Sequence, residues 1–212
     1  MAGHVSGALC SGDPSAVCRR EAPKPNQTGS AKVWTTYAYD ALNRLTWKSY
    51  DDGTPRACFY HDESVATIKS GTYTWTSPSL ANTLGRLSHS MTTAAADCST
   101  DNSAITGTAY SYEATGAVAT HWQCTPFNCG KTTTWQASYG YNLAGDLTSW
   151  THPANFTITH AVNSAQRVTQ VTSTLNDATH PPTLATITYH PFGAVKTLVN
   201  GAVTGGILRQ EA

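Results

Sequence analysis

The sequence predicts an all-β chain of antiparallel hairpins, and three observations lead there. Charged residues make up only 12% of the chain, and Thr, Ser, Gly, Asn, Tyr and Trp fill the space that charge leaves. Apolar and small polar residues alternate with a period of two along one stretch after another. A pattern of paired aromatics followed by a turn recurs through the chain. Thr, Tyr and Trp favour the half-buried pleated surface of a sheet, while Gly and Asn suit tight turns. Ala is common but scattered through Thr-rich runs, without helical spacing. At 212 residues the chain is long enough for one large β domain or two small ones.

Residues 1–32 mix Gly, Pro and Ser with basic residues such as Arg19-Arg20, and read as a linker or partly disordered lead-in. The β region runs from 33 to 203, and 204–212 is a short tail. The stretch from Met1 to Cys10 lacks the basic start and unbroken apolar run of a signal peptide. No segment approaches the ~20 apolar residues of a membrane-spanning helix. The expectation is an internal piece of a longer exported protein.

The repeat is two aromatics one residue apart, a turn residue, two variable positions, Gly or Asn, then a β-apolar residue. It appears as Tyr37-Ala-Tyr39-Asp40-Ala-Leu-Asn43-Arg44-Leu45 and returns as Tyr110-Ser-Tyr112-Glu113-Ala-Thr-Gly116-Ala117-Val118. Further copies are Tyr139-Gly-Tyr141-Asn142-Leu-Ala-Gly145-Asp146-Leu147 and Ile187-Thr-Tyr189-His190-Pro-Phe-Gly193-Ala194-Val195. Two weaker ones are Ala81-Asn82-Thr-Leu-Gly85-Arg86-Leu87 and Val162-Asn163-Ser-Ala-Gln166-Arg167-Val168.

Before each turn the alternation is that of a half-buried strand: Trp135, Ala137, Tyr139 and Tyr141 share one face, as do Phe156, Ile158, His160 and Val162. Asp40, Asn82, Asn142 and Asn163 are placed at the first position of a type I turn, where a short acceptor side chain bonds the following backbone. Asn43, Gly85, Gly116, Gly145 and Gly193 take the fourth position, where positive φ is needed; Gln166 fits that position poorly. Each unit is therefore a β-hairpin.

Six cysteines, Cys10, Cys18, Cys58, Cys98, Cys124 and Cys129, lie in loop-like segments without a Cys-x-x-Cys pair. Disulfides, free thiols and a metal site are all open readings. An even number favours disulfides in an oxidising compartment, hence an extracellular or cell-surface location. Spacing does not fix connectivity; the simplest pairing is Cys10 with Cys18, Cys124 with Cys129, and Cys58 with Cys98.

The run at 37–45 resembles the YD repeat of the rearrangement-hotspot (Rhs) proteins, a repeat that also occurs in teneurins and insecticidal toxin complexes. Tyr189-His-Pro-Phe-Gly193 is similar to a bacterial variant of it. The likeness covers about residues 33–200. It implies hairpins paired into a curled antiparallel sheet, a partial shell wall, with aromatics stacked between hairpins, the Leu or Val after each turn covering them, and turns along one rim. Its implied partners are further YD repeats of the same or a neighbouring polypeptide, and a cargo toxin or a cell-surface ligand. The repeat spacing departs from regularity, and Cys58, Cys98, Cys124 and Cys129 fall in the insertions, where disulfides would clamp inserted loops to the wall. The family's self-cleaving core and a C-terminal toxin domain are not recognisable here.

Thirteen basic residues balance thirteen acidic ones, which argues against a phosphate-tracking groove and so against nucleic acid. The eight histidines show no metal-ligand spacing, and His89 and His160 sit within strand alternation, where packing is the ordinary role. Asp51-Asp52-Gly53 reads as a turn, and Asp62-Glu63 lies in an insertion, rather than as a calcium site. No nucleophile elbow, phosphate loop or dinucleotide fingerprint is present. Asn26-Gln-Thr28 and Asn155-Phe-Thr157 match glycosylation acceptors. The expectation is a structural scaffold without catalysis, cofactor or metal. A second reading is a carbohydrate- or protein-binding module using exposed Trp34, Trp47, Trp75, Trp122, Trp135, Trp150 and tyrosines. A third, a toxin-like hydrolase, needs His and carboxylates converging in a pocket, and nothing in the sequence signals one.

Overall fold

The computed structural model describes residues 18–23, 32–98, 103–129, 131, 134–175, 181–201 and 210–211. Within them the chain forms β-strands only: β1 (Cys18–Pro23), β2 (Lys32–Tyr39), β3 (Leu45–Tyr50), β4 (Arg56–His61), β5 (Thr67–Ser70), β6 (Tyr73–Thr76), β7 (Leu87–Thr93), β8 (Ala104–Tyr112), β9 (Val118–Cys124), β10 (Trp135–Tyr141), β11 (Leu147–Thr151), β12 (Thr157–Val162), β13 (Val168–Ser173), β14 (Thr183–Tyr189), β15 (Val195–Asn200) and β16 (Gln210–Glu211). Fourteen make one open sheet in the order β1-β2-β3-β4-β7-β8-β9-β10-β11-β12-β13-β14-β15-β16. Sequence neighbours pair antiparallel, through tight turns within the repeat units and longer connections elsewhere, as from β7 to β8 and β9 to β10; the single step out of order is β4 to β7, with β5 and β6 forming a separate two-stranded sheet between them. β1 lies within the segment read as a lead-in and pairs with β2; β16 lies within the tail and pairs with β15.

One backbone recipe makes most of the hairpins. The N–H of the fourth turn residue donates to the carbonyl of the first, at 2.9 Å from Asn43 to Asp40 and 3.0 Å from Gly145 to Asn142. The N–H of the first residue donates across the hairpin to the carbonyl four positions on, as from Asp40 to Arg44 and from Asn163 to Arg167. The fourth residue is left-handed at Asn43 (φ 65°), Gly116 (95°), Gly145 (89°), Gln166 (59°) and Gly193 (101°). The pairing then slips by one residue just before the turn, between Ala38 and Tyr39, Gly140 and Tyr141, Ala161 and Val162, and Thr188 and Tyr189. A type I turn followed by a left-handed residue and a bulge restores the strand twist that a plain type I turn would oppose.

The structure adds one turn of the same kind outside the six sequence repeats. Asn155 (φ 63°) closes onto His152 at 2.8 Å between β11 and β12, with Pro153 at the second position. Phe156 therefore belongs to the turn, and β12 begins at Thr157.

The structure also moves one turn residue. Asn82, expected at the first position of its turn, is displaced by Asp62. The Asp62 N–H donates to the Arg86 carbonyl at 3.1 Å, and Asp62 Oδ1 accepts the Gly85 N–H at 2.6 Å. Joined in space, Asp62 and Thr83-Leu84-Gly85-Arg86-Leu87 stand where Asp40-Ala41-Leu42-Asn43-Arg44-Leu45 stand in the first unit of the repeat, with the Gly85 N–H turned to the Asp62 side chain and the Arg86 N–H to the Thr83 carbonyl. Residues 63–82 are an insertion into the turn itself, which carries β5 and β6.

Two compact units share the chain, Met1–Ser111 with Trp122–Thr134, and Tyr112–His121 with Trp135–Ala212. In the first, the inserted hairpin lies on one face of the sheet and makes the core. Ile68 is 2% exposed and packs with Cys58, Met91, Ala104, Cys124 and Cys129, while Leu80, Ala66, Ala109 and Trp122 form a second cluster bridged by Trp75. Gly107 is required here, because a β-carbon would run into Ile68. In the second unit the strands are mostly half-buried, with Ala137 and Ser173 buried.

Candidate functional site

The side chains at the first turn position organise each turn and join it to the next. Asp40 Oδ1 accepts the N–H groups of Leu42 and Arg44, both at 2.9 Å. Asn142 Oδ1 does the same for Ala144 and Asp146, and Asn163 Oδ1 for Ala165 and Arg167. His152 imitates them through Nδ1, which accepts the Ala154 N–H at 3.1 Å. In each of these turns the side chain at the first position accepts from the backbone that follows, and histidine serves where Asp or Asn is missing.

Links between neighbouring turns follow. Arg44 donates from Nε to Asp40 Oδ2 and from Nη2 to Asp62 Oδ2, each at 2.7 Å, so one guanidinium ties two successive turns together. The backbone N–H of Arg44 first, then its side chain, hold the Asp40 carboxyl below its ordinary range. The Arg44 side chain and the Gly85 N–H do the same for Asp62, and the two carboxylates raise the Arg44 guanidinium in turn. These groups are at the surface, so the ladder gives register more than energy. In the second unit Asn142 Nδ2 donates to Gln166 Oε1 at 3.2 Å, a neutral version of the same link.

The tyrosine before the turn supplies the repeated cross-hairpin bond. Tyr141 Oη donates to the Val118 carbonyl at 3.0 Å, and Tyr189 Oη to the Val168 carbonyl at 2.7 Å. Both carbonyls belong to the first strand residue after the turn of the preceding hairpin, so the two bonds are the same contact made twice. The Arg167 guanidinium lies 4.6 Å over the Tyr189 ring, and Tyr139 bonds and stacks with His121 (3.1 Å; ring centroids 5.9 Å). The apolar residue after the turn pairs with the last aromatic before it: Tyr39 with Leu45, Tyr141 with Leu147, and Tyr189 with Val195. Leu87 pairs with His61 instead, because β4 takes the place of the missing aromatic strand. Tyr37 pairs with Lys48 in β2–β3, while Tyr110 and Tyr112 close β8 ahead of the Glu113–Gly116 turn.

Disulfides join Cys58 to Cys98 and Cys124 to Cys129, with Cα separations of 5.8 and 4.7 Å. Both pack into the core beneath the inserted hairpin. Cys10 lies outside the described residues, as does the Asn26 acceptor site, and of Cys18 only the strand backbone is described.

His89 is the most deeply buried titratable group beside the insertion. Its side chain is 4% exposed, stacks on Tyr60 at 4.1 Å and stands 3.5 Å from Glu63 Oε2. Burial outweighs that carboxylate and pushes His89 down to about 4; burial also raises Glu63. Ser88, beside it, is fully buried and donates its hydroxyl to the Tyr60 carbonyl at 2.8 Å, which ties down a would-be nucleophile. Among the described residues no three His, Cys, Asp or Glu side chains are grouped to hold a metal ion.

The six tryptophans do not make a platform. Trp122 is buried against Trp75, Trp47 is capped by Arg56 at 4.2 Å, and Trp150 packs with His152 and Phe156. Trp34 and Trp135, at 42% and 43%, are the most exposed and lie in different units.

No protein-family model matches the sequence, and no curated protein matches it. Among solved structures, the crystal structure of TcdB2-TccC3-Cdc42 aligns with a TM-score of 0.46 and 12% identity, over 84% of this chain. The chain spans about a tenth of that one, 10% of its length.

Proposed function

We infer that this chain is a length of repeat wall: a non-catalytic scaffold of the YD-repeat (Rhs) type in a secreted or cell-surface protein. Its body is the repeat region 33–203, flanked by the lead-in and the tail. The observation that carries the reading is the tyrosine-to-carbonyl bond, made in the same register by Tyr141 and Tyr189. A contact that repeats with the hairpin extends a sheet by addition, which is what a wall needs and a single binding site does not. In this role the wall encloses a cargo or presents an adhesive face, and its partners are more repeats of the same kind. Disulfides in the core suit an oxidising compartment.

The test is a thermal melt followed by far-UV circular dichroism on residues 1–212 without reductant, at several concentrations. A wall segment is expected to melt broadly or to associate as concentration rises, because sheet ends left without neighbours seek partners. A sharp, concentration-independent transition of a monomer would contradict the wall and favour a self-sufficient binding module.

A further inference from the structure

The first unit has two unlike sheet faces. One carries Cys58, Met91 and Gly107 under the inserted hairpin. On the other, strand pairing sets two rows side by side: Lys48, Ala57, Thr92 and Thr106 in one, Phe59, Ser90 and Thr108 in the next. These residues and Tyr50 line a cleft of about 330 Å³. A second cleft of about 320 Å³ meets it at Tyr50, Thr54 and Pro55, but its Ser49, Arg56 and Thr93 alternate to the opposite face. We propose that this face is a binding groove for a short acidic oligosaccharide, stacked on Phe59 and Tyr50, hydrogen-bonded by the hydroxyl block and met by Lys48.

The chemistry of the lining selects that class. Four neighbouring hydroxyls, each both donor and acceptor, complement sugar hydroxyls, which are also both. Thr92 and Thr106 share one bond at 2.7 Å, so the pair keeps one free proton and unused lone pairs to offer. Phe59 and Tyr50 are half-buried and give flat apolar surface for the C–H face of a pyranose ring. A phosphate ligand would need more cations or aimed N–H groups, and a purely apolar ligand would leave the hydroxyls unpaired. Neither cleft is lined by a carboxylate, and of the two cations there, Arg56 is occupied over Trp47, which leaves Lys48, 5.9 Å from the Tyr50 ring centroid. One cleft is at the small end of ligand sites, about 300–1,000 Å³. That space fits the terminal rings of a short chain, with the rest lying in solvent. The groove uses residues outside the turn ladder, so it stands whether or not the sheet belongs to a larger wall.

Calorimetric titration of the intact chain tests this, with a hexasaccharide of alternating glucuronate and N-acetylglucosamine as acidic probe and the N-acetylglucosamine hexamer as neutral probe. Saturable binding of the acidic probe is expected, weakening as salt is added. Lys48→Gln and Thr106→Val should each weaken it about tenfold, and the neutral probe should bind at least about tenfold less well. Both variants retain the wild-type circular dichroism if the strands are intact; Phe59→Ala is a further variant where it folds. No saturation by either probe up to about 1 mM would overturn the proposal. Equal binding of both probes would overturn it too, as would affinity unchanged in both Lys48→Gln and Thr106→Val.

Discussion

Gly145 and Gln166 hold the same place in two turns of the repeat, at φ 89° and 59°, yet only one of them adopts that conformation freely. A β-carbon in the left-handed region costs about 1–2 kcal/mol, and a β-branched residue more. Nothing lies within 4 Å of a β-carbon built on Gly145, so the cost of Gly145→Val is conformational. That variant should lose about 1–2 kcal/mol in urea unfolding, while Gln166→Gly should gain about 1 kcal/mol despite the entropy that glycine adds to the unfolded chain. His89 gives a second expectation at this scale. Its ordinary value is 6.5, and in the folded chain it is held near 4. Between those values the unfolded chain takes up a proton that the folded chain refuses, so stability falls as pH drops from 6.5 to 4. The loss reaches ~3 kcal/mol at most. His61 and His121, also lowered by burial, act in the same direction. Urea titrations at pH 7 and pH 4.5 should show a clearly smaller difference for His89→Gln than for the parent chain.

At the scale of elements, the inserted hairpin β5–β6 is held by packing and by covalent clamps. Gly107→Val forces a side chain against buried Ile68, and is expected to cost about 1–3 kcal/mol and to increase dye binding as the hairpin lifts. The Cys58–Cys98 bond closes 40 residues and Cys124–Cys129 only 5. Chain entropy then gives about 4 kcal/mol for the first and about 2 for the second, so the Cys58→Ala/Cys98→Ala pair should lower the melting temperature more than Cys124→Ala/Cys129→Ala. Much of this scale was legible beforehand. Alternation and turn chemistry placed β2, β3, β10, β11, β14 and β15, because each depends on residues close in sequence. The Asp62 turn was not legible, since its first residue and its last are separated by 63–82, and proximity in space leaves no local trace. The His152–Asn155 turn left a signal, Pro153 at the second position and Asn155 at the fourth, but histidine in place of Asp or Asn hid it. The hydroxyl block of the first unit left no motif, because it comes from two strands set side by side by register.

At the scale of the whole molecule, we infer that one turn unit, repeated and tied to its neighbour by a tyrosine, builds an extensible sheet. Fourteen strands pair in nearly sequential order, each finding the strand before it in the chain as a neighbour at all but the β4–β7 step. Such a sheet gains stability from neighbours instead of from one deep centre, which agrees with the mostly half-buried strands of the second unit. Amide hydrogen exchange by mass spectrometry on the parent chain and Tyr141→Phe tests this most directly. The expected result is protection at the turn amides of Asn43, Gly116, Gly145 and Gly193, with Tyr141→Phe raising exchange in both its own hairpin and the one containing Val118. Rapid exchange at those turn amides in the parent chain, or a change in Tyr141→Phe confined to residues 135–151, would contradict the account.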